Sequence, residues 1–424
     1  MNAPVSKTGM GHSVHRGFES LPLRLDATTL RRFADLIVGL GANLQPGQIA
    51  SVSCEPGKEY LVREIAASAY RHGAKFVDVS WFDPWVKRAR IEHAPDDVLE
   101  FIPSWHGERM LALGDQRCAR VALSGPVAPG LLEDLDPVRS GRDRFPAVKE
   151  NGKVINDRTT NWTIAPCPSP AWAQLVFPDL ESDDALARLE ERLVHVCRLD
   201  EDDPIAAWRA RADQLVGAAE RLTGRGFDAL HYEGPGTDLT VGLLGSARWQ
   251  AARFETVDGI EHMPNIPTEE VFTTPDPARV EGEVSASKPL VLLDGTVVRG
   301  LHVRFEGGRA VRIDAETAAE TMRTMCARDE GAARVGEIAL VDRDGRIGAL
   351  DTVFYDTLLD ENAASHIAFG QGFPFLIDDP DELKRSNESE LHLDFMIGSD
   401  ALEVTGITAD GERVPVLRDG HWRI

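Results

Sequence analysis

Hydrophobic positions in the first half of the chain follow two alternating periods. Residues 28–40 (TTLRRFADLIVGL) have helical spacing and 48–53 (QIASVS) read as extended. A second helix over 57–73 brings Leu61, Ile65 and Ala69 onto one face with Val62, Ala66 and Tyr70 beside them, and His72-Gly73 supplies a glycine stop. The apolar run 74–81 (AKFVDVSW) predicts a strand, the stretch near 96–113 a helix and 119–125 (ARVALSG) another strand. Strands alternating with helices of this length predict an α/β domain, a parallel sheet covered on both faces. Gly39-x-Gly41 is no dinucleotide fingerprint, because it follows a helix and precedes a strand, the reverse of what pyrophosphate binding at a helix N-terminus needs.

Two helices then bridge the halves. Ser182 is placed to cap one carrying Leu186, Leu189, Leu193 and Val196. Asp203-Pro204 supplies a cap and a first-turn proline for one carrying Ile205, Trp208, Ala212, Leu215 and Leu222. Beyond about residue 225 the texture changes to short extended runs (FDALHY, DLTVGLL, PLVLLDGTV, LHVRFE, EIALVD, LHLDFMIG) separated by Gly, Pro, Asp and Asn. The expected organisation is an α/β domain over 1–234, with bridging helices at 182–224, and a β-rich α+β domain over 235–424.

Composition narrows the partners and the compartment. The 424 residues hold 46 Lys+Arg against 69 Asp+Glu, a formal charge of −23, with 42% hydrophobic residues. That apolar fraction excludes a disordered chain, and the acidity argues against nucleic acid, whose phosphates such a surface repels. The first twenty residues lack an apolar core of signal-peptide length and no run approaches a membrane span, so a cytoplasmic protein without a membrane partner is expected. Five scattered cysteines without CxxC spacing point to reduced thiols rather than a disulfide framework or a cysteine zinc site.

The chemistry concentrates in the last third. In Glu390-Leu391-His392-Leu393-Asp394-Phe395-Met396-Ile397-Gly398, a strand would project His392 and Asp394 from one face and Leu391, Leu393 and Phe395 from the other. A His and a carboxylate in so apolar a strand need a partner, either each other in a structural hydrogen bond or a divalent cation. Three more segments share the oddity. Glu337 is a lone acid inside an apolar strand, His366 sits among small residues in DENAASHIAFGQ, and the paired acids Glu269 and Glu270 open a strand in PTEEVFTTP.

These segments, with GEIALV after DEGAARV and HLDFMIGS, resemble the signature segments of the aminopeptidase T family of metallopeptidases. The likeness extends through NWTIAPCPSPAWAQLVFP, GPGTDLTVGL and the Arg248-Trp249 pair, and so covers nearly the whole chain after residue 25. It implies a Rossmann-like N-terminal domain, a C-terminal domain bearing a two-metal cluster, and a homodimer or higher homo-oligomer that encloses the active site. Residue by residue it makes Glu270, Glu337, His366, His392 and Asp394 the ligands of divalent transition metal ions, Zn, Mn or Co, one or two per chain. Glu269 is then a candidate behind the ligands or at the surface, and Glu337 the preferred catalytic proton carrier. Three carboxylates and two neutral imidazoles bring −3 to two divalent ions, which leaves room for a hydroxide able to attack a carbonyl.

One position departs from the family, which carries a Tyr seven residues after the His of the HIA segment; here it is Phe373. A phenyl ring cannot donate a hydrogen bond to a developing oxyanion. Phe373, Phe375 and Leu376 are expected to make the pocket wall apolar. The resemblance implies a metal-dependent hydrolase that cleaves a C–N bond beside a free amine, most simply an aminopeptidase acting on a short peptide or small molecule. Two alternatives within the enzyme class are an aromatic aminohydrolase and an Fe(II) ring-cleaving dioxygenase that uses His366, His392 and an acid; the third is a binding protein without catalysis.

Overall fold

Four parallel strands, β1 (Ile49–Cys54), β2 (Phe76–Trp81), β3 (Ala119–Ser124) and β4 (Asn161–Pro166), form the first sheet in the order β2-β1-β3-β4. The computed structural model describes residues 25–145, 149–292 and 295–424; the opening residues of the N-terminal domain and two positions of the run 289–297 lie outside these. The helix Ala27–Leu36 is capped by Asp26, which accepts from Thr28 N at 2.7 Å and Thr29 N at 2.8 Å. The helix Glu59–Arg71 buries Leu61, Val62, Ile65, Ser68 and Ala69, and Gly73 follows at φ +90°. Tyr70, expected beside that stripe, is instead 53% exposed, because Ser68 and Ala69 complete the buried face.

Two helical expectations are corrected. The stretch 96–113 is broken at Pro103, which has no N–H to donate and disfavours the helical conformation of Ile102; a helix starts only at Ser104 and runs to Asp115. A further helix, Pro84–His93, precedes it, capped by Asp83 on Trp85 N at 2.9 Å. Ser182 is the first residue of the helix Ser182–Val196 and does not cap it; the positive end meets Asp183 and Asp184 instead. Asp203 does cap the helix Pro204–Arg225, accepting from Ala206 N at 3.0 Å, and Gly226 ends it at φ +55°, where a Cβ would be strained.

Two large antiparallel sheets follow, beside two two-stranded ones. The larger has eight strands in the order Arg309–Asp314, His302–Glu306, Pro275–Ser285, Thr237–Leu243, Ala229–Gly234, Glu403–Ile407, Arg413–Arg418, His421–Trp422. The smaller has five, in the order His392–Met396, His366–Gly370, Val335–Val341, Glu270–Thr273, Gln250–Ala251. Position 234/235 falls in the turn joining two paired strands of the eight-stranded sheet. We therefore propose the domain division just after Gly226. Phe305 of the larger sheet packs on Phe369 of the smaller at 5.8 Å, and Phe369 stacks on Phe395 at 5.2 Å, so one face of the five-stranded sheet is sealed against the core. All five cysteines are free and buried, and among the described residues no helix is long and apolar enough to cross a membrane.

Candidate metal centre

The other face of the five-stranded sheet carries the candidate ligands, and strand alternation explains why. Register pairs Phe272 with Ala339, Ala339 with His366, Ala368 with Asp394, and Gly370 with His392. Glu270, Glu337, His366, His392 and Asp394 therefore share one face with these residues, while Val271, Ile338, Ile367, Leu393 and Phe395 fill the core side. Four strands remote in sequence thus deliver one donor set.

Within that set the contacts are close. His366 Nε2 lies 3.1 Å from Glu270 Oε2, and His392 Nε2 lies 3.2 Å from Glu337 Oε2 and 3.6 Å from Asp394 Oδ2. Two groups could each hold an ion, Glu270 with Glu337 and His366, and Glu337 with His392 and Asp394, the donor atoms of each lying within 4.8 Å of one another. Glu337 belongs to both.

The imidazoles are oriented from behind. His366 Nδ1 meets the carbonyl oxygens of Glu361 at 3.0 Å and Ala364 at 3.2 Å, and His392 Nδ1 meets that of Gln371 at 2.8 Å. A carbonyl only accepts, so each Nδ1 is the donor and each Nε2 is turned toward the carboxylates. This is the tautomer and orientation that a metal-binding histidine needs.

The electrostatics agree. Burial pushes the Glu337 carboxyl up to about 7, with the charges of Asp394 and Glu270 adding to the rise and His392 opposing it. Burial alone would lower His366, but its hydrogen bond to Glu270 and the surrounding acids raise it to about 9. His392, also opposed by burial, is lifted to about 10 by Asp394 and Glu337. Among the described residues no Lys or Arg pairs with Glu270, Glu337 or Asp394. A concentration of acids partnered by imidazoles and by no lysine or arginine fits divalent cations.

One member escaped the sequence reading. Glu361, the last residue of the helix Thr357–Glu361, lies close to these acids: burial and the negative charges of Asp394, Glu270 and Glu337 push its carboxyl well above its ordinary range. Asn265 Nδ2 lies 3.4 Å from Glu361 Oε1 and 3.5 Å from Glu270 Oε1. The available signal was the acid five residues before His366; the segment was read for its histidine alone.

Glu269 lies behind the ligands, one of its two expected places. It is fully buried, not at the surface, and its carboxylate takes Arg211 Nε at 2.5 Å and Arg198 Nη2 at 3.3 Å, while its N–H donates to Asn362 Oδ1 at 2.7 Å. Phe373 is beside the centre, its ring 5.5 Å from that of His392. Phe375 is half-buried nearby, but Leu376 is fully buried beneath the rings and forms no part of an open wall.

The comparisons with known proteins bear on this geometry. Residues 26–422 match the thermophilic metalloprotease (M29) family. Aminopeptidase T of Thermus aquaticus is 42% identical over 94% of this chain and 100% of its own length, and aminopeptidase AmpS of Bacillus subtilis is 36% identical over 93% and 98%. The solved structure of wild-type AmpT from Thermus thermophilus superposes with a TM-score of 0.83 at 42% identity, covering 94% of this chain and 99% of that one.

Proposed function

The chain belongs to the thermophilic metalloprotease (M29) family, and on that premise we propose how it works as a metal-dependent hydrolase, an aminopeptidase that releases the N-terminal residue of a short peptide. The observation that carries this reading is the pair of three-residue groups sharing Glu337, each with an imidazole whose Nδ1 is fixed by a backbone carbonyl. Glu270, Glu337 and His366 would hold one ion, Glu337, His392 and Asp394 a second, with Zn, Mn or Co suited to this mixture of nitrogen and oxygen donors. Such ions supply Lewis acidity toward a peptide carbonyl and a nucleophilic water at neutral pH.

The protein's own groups do the rest. Glu337 is shared between the two sets, so we assign the proton-carrying role to Glu361, which lies in neither. The excess of acids also attracts a substrate's ammonium group, which favours a peptide end over a peptide interior. Glu269, saturated by Arg198 and Arg211, anchors the strand that presents Glu270.

We further propose a homodimer in the cytosol. The free, buried cysteines support a reducing compartment. β2 is an edge strand, and Trp85, Phe101 and Trp105 on the segments that follow it are 62%, 62% and 65% exposed, an apolar surface that a second copy would cover.

Metal analysis with an activity assay tests the site. Two ions per chain are expected, exhaustive chelation should abolish hydrolysis of leucine p-nitroanilide, and Zn, Mn or Co should restore it. Glu337→Gln should lower metal content and abolish turnover together. Turnover that survives chelation overturns the reading, and product release coupled to oxygen uptake would favour the dioxygenase alternative instead.

A further inference from the structure

The face that bears the ligands also bears a wall of rings. Phe272 stands two residues after Glu270 and so on the same face, with Ala339 and His366 beside it in register. Phe373 bridges the two groups, its ring 5.2 Å from Phe272 and 5.5 Å from His392. Phe375 lies 5.7 Å from Phe373 and 5.6 Å from Phe254, which in turn lies 5.8 Å from Phe272 and 6.0 Å from Trp162. Phe254, Phe272 and Leu376 are buried, whereas Phe373, Phe375 and Trp162 are only half-buried. The cluster therefore has a sealed base and an open side that is continuous with the metal centre.

The rings of that wall carry no formal charge, and Arg248, which donates to the Phe375 carbonyl at 3.3 Å, is itself paired with Asp378 at 3.0 Å. The wall's one titratable ring, His262, is buried against Phe254 and Trp162, and burial holds it neutral by lowering its pKa to about 4. Ala339, in register with both Phe272 and His366, keeps the sheet surface between ligands and rings free of a bulky side chain. A substrate whose ammonium is drawn to the acids would lay its first side chain toward one of two surroundings, the acids themselves or the rings. Only the rings gain by losing water to an apolar group.

We propose that this enzyme is selective for substrates whose N-terminal residue is aromatic or large and aliphatic, with Phe373 and Phe375 as the specificity-determining residues that line its side chain. This rests on the aminopeptidase reading and names the substrate class of the same site. Phe373, which departs from the family's Tyr, then serves recognition: it offers a ring face to the substrate with no hydroxyl to hydrate.

The test compares kcat/KM of the metal-loaded full-length enzyme for the p-nitroanilides of Phe, Leu, Ala and Lys. Phe and Leu should exceed Ala and Lys by about tenfold or more, since even one methylene in an apolar pocket is worth about that. Phe375→Ala, and separately Phe373→Ala, should lower the Phe/Ala ratio by about tenfold. A calorimetric titration with L-phenylalaninol and L-alaninol gives a second readout without turnover. The phenyl compound should bind more tightly, and the margin should shrink in Phe375→Ala. Turnover of the panel without an apolar preference, or with Lys preferred, overturns this proposal and leaves the aminopeptidase reading intact. Absence of turnover for every anilide overturns both.

Discussion

At the scale of single residues, the centre is defined by what each polar side chain lacks as much as by what it touches. Glu269 and Glu270 are adjacent, carry the same side chain and are both buried, yet they have opposite fates. Glu269 is neutralised by Arg198 and Arg211, whereas Glu270 lies against His366, the Asn265 amide and the neighbouring Glu337. Alternation along the strand decides this, and it was legible in the sequence; the arginines that receive Glu269 come from a segment some sixty to seventy residues earlier and were not. Phe373 is the residue whose chemistry is most open to trial. Phe373→Tyr keeps a ring in the wall and restores a donor close to the centre, so kcat for aminoacyl anilides should rise by about a hundredfold, the lower end of what an oxyanion donor supplies. An unchanged kcat would place the oxyanion's partner elsewhere in the site.

At the scale of elements, a short helix couples the two halves of the chain. Asp356 caps the helix Thr357–Glu361 on Leu359 N at 3.3 Å, and the same buried carboxylate accepts from Gly125 N at 2.8 Å and Ser124 Oγ at 3.2 Å at the end of β3. Trp172 Nε1 donates to Phe354 O at 2.5 Å, and Asn362 ties the helix end to Glu269. The parallel sheet therefore sets the position of Glu361, whose carbonyl in turn orients His366. Asp356→Ala should leave the Gly125 N–H buried without a partner and remove the cap, costing about 2–4 kcal/mol in a denaturant titration. It should also reduce metal content per chain; Asp356→Asn, whose amide oxygen still accepts, should be milder. Full metal content in the alanine variant would show that the helix is held by other contacts. The strands and the long helices were legible from period and caps, but this coupling was not, because Asp356 looks like any acid before a helix until β3 is seen beside it.

At the scale of the whole molecule, the −23 charge conceals two populations of acid. Most are solvated or paired with arginine, while Glu270, Glu337 and Asp394 on one sheet face and Glu361 at a helix end beside it are gathered where their mutual repulsion calls for cations. The apolar surface near β2 carries the assembly prediction. Trp85→Asp combined with Trp105→Asp should convert a sedimenting dimer into a monomer with its secondary structure unchanged. A wild-type chain that sediments as a monomer at micromolar concentration would remove the dimer from the account.

Much was settled by the sequence alone. Period and punctuation specified an α/β first half and a β-rich second half, because local burial patterns need only the chain's own neighbours. The segments around Glu270, Glu337, His366, His392 and Asp394 were conspicuous for polar groups in apolar strands, since such groups are costly to bury without a purpose. Only the tertiary structure decided that these five meet on one face, that Glu361 joins them, that Glu269 does not, and that a wall of phenyl rings adjoins them. Those facts depend on strand order and register between segments that are not neighbours along the chain, and no local period encodes them.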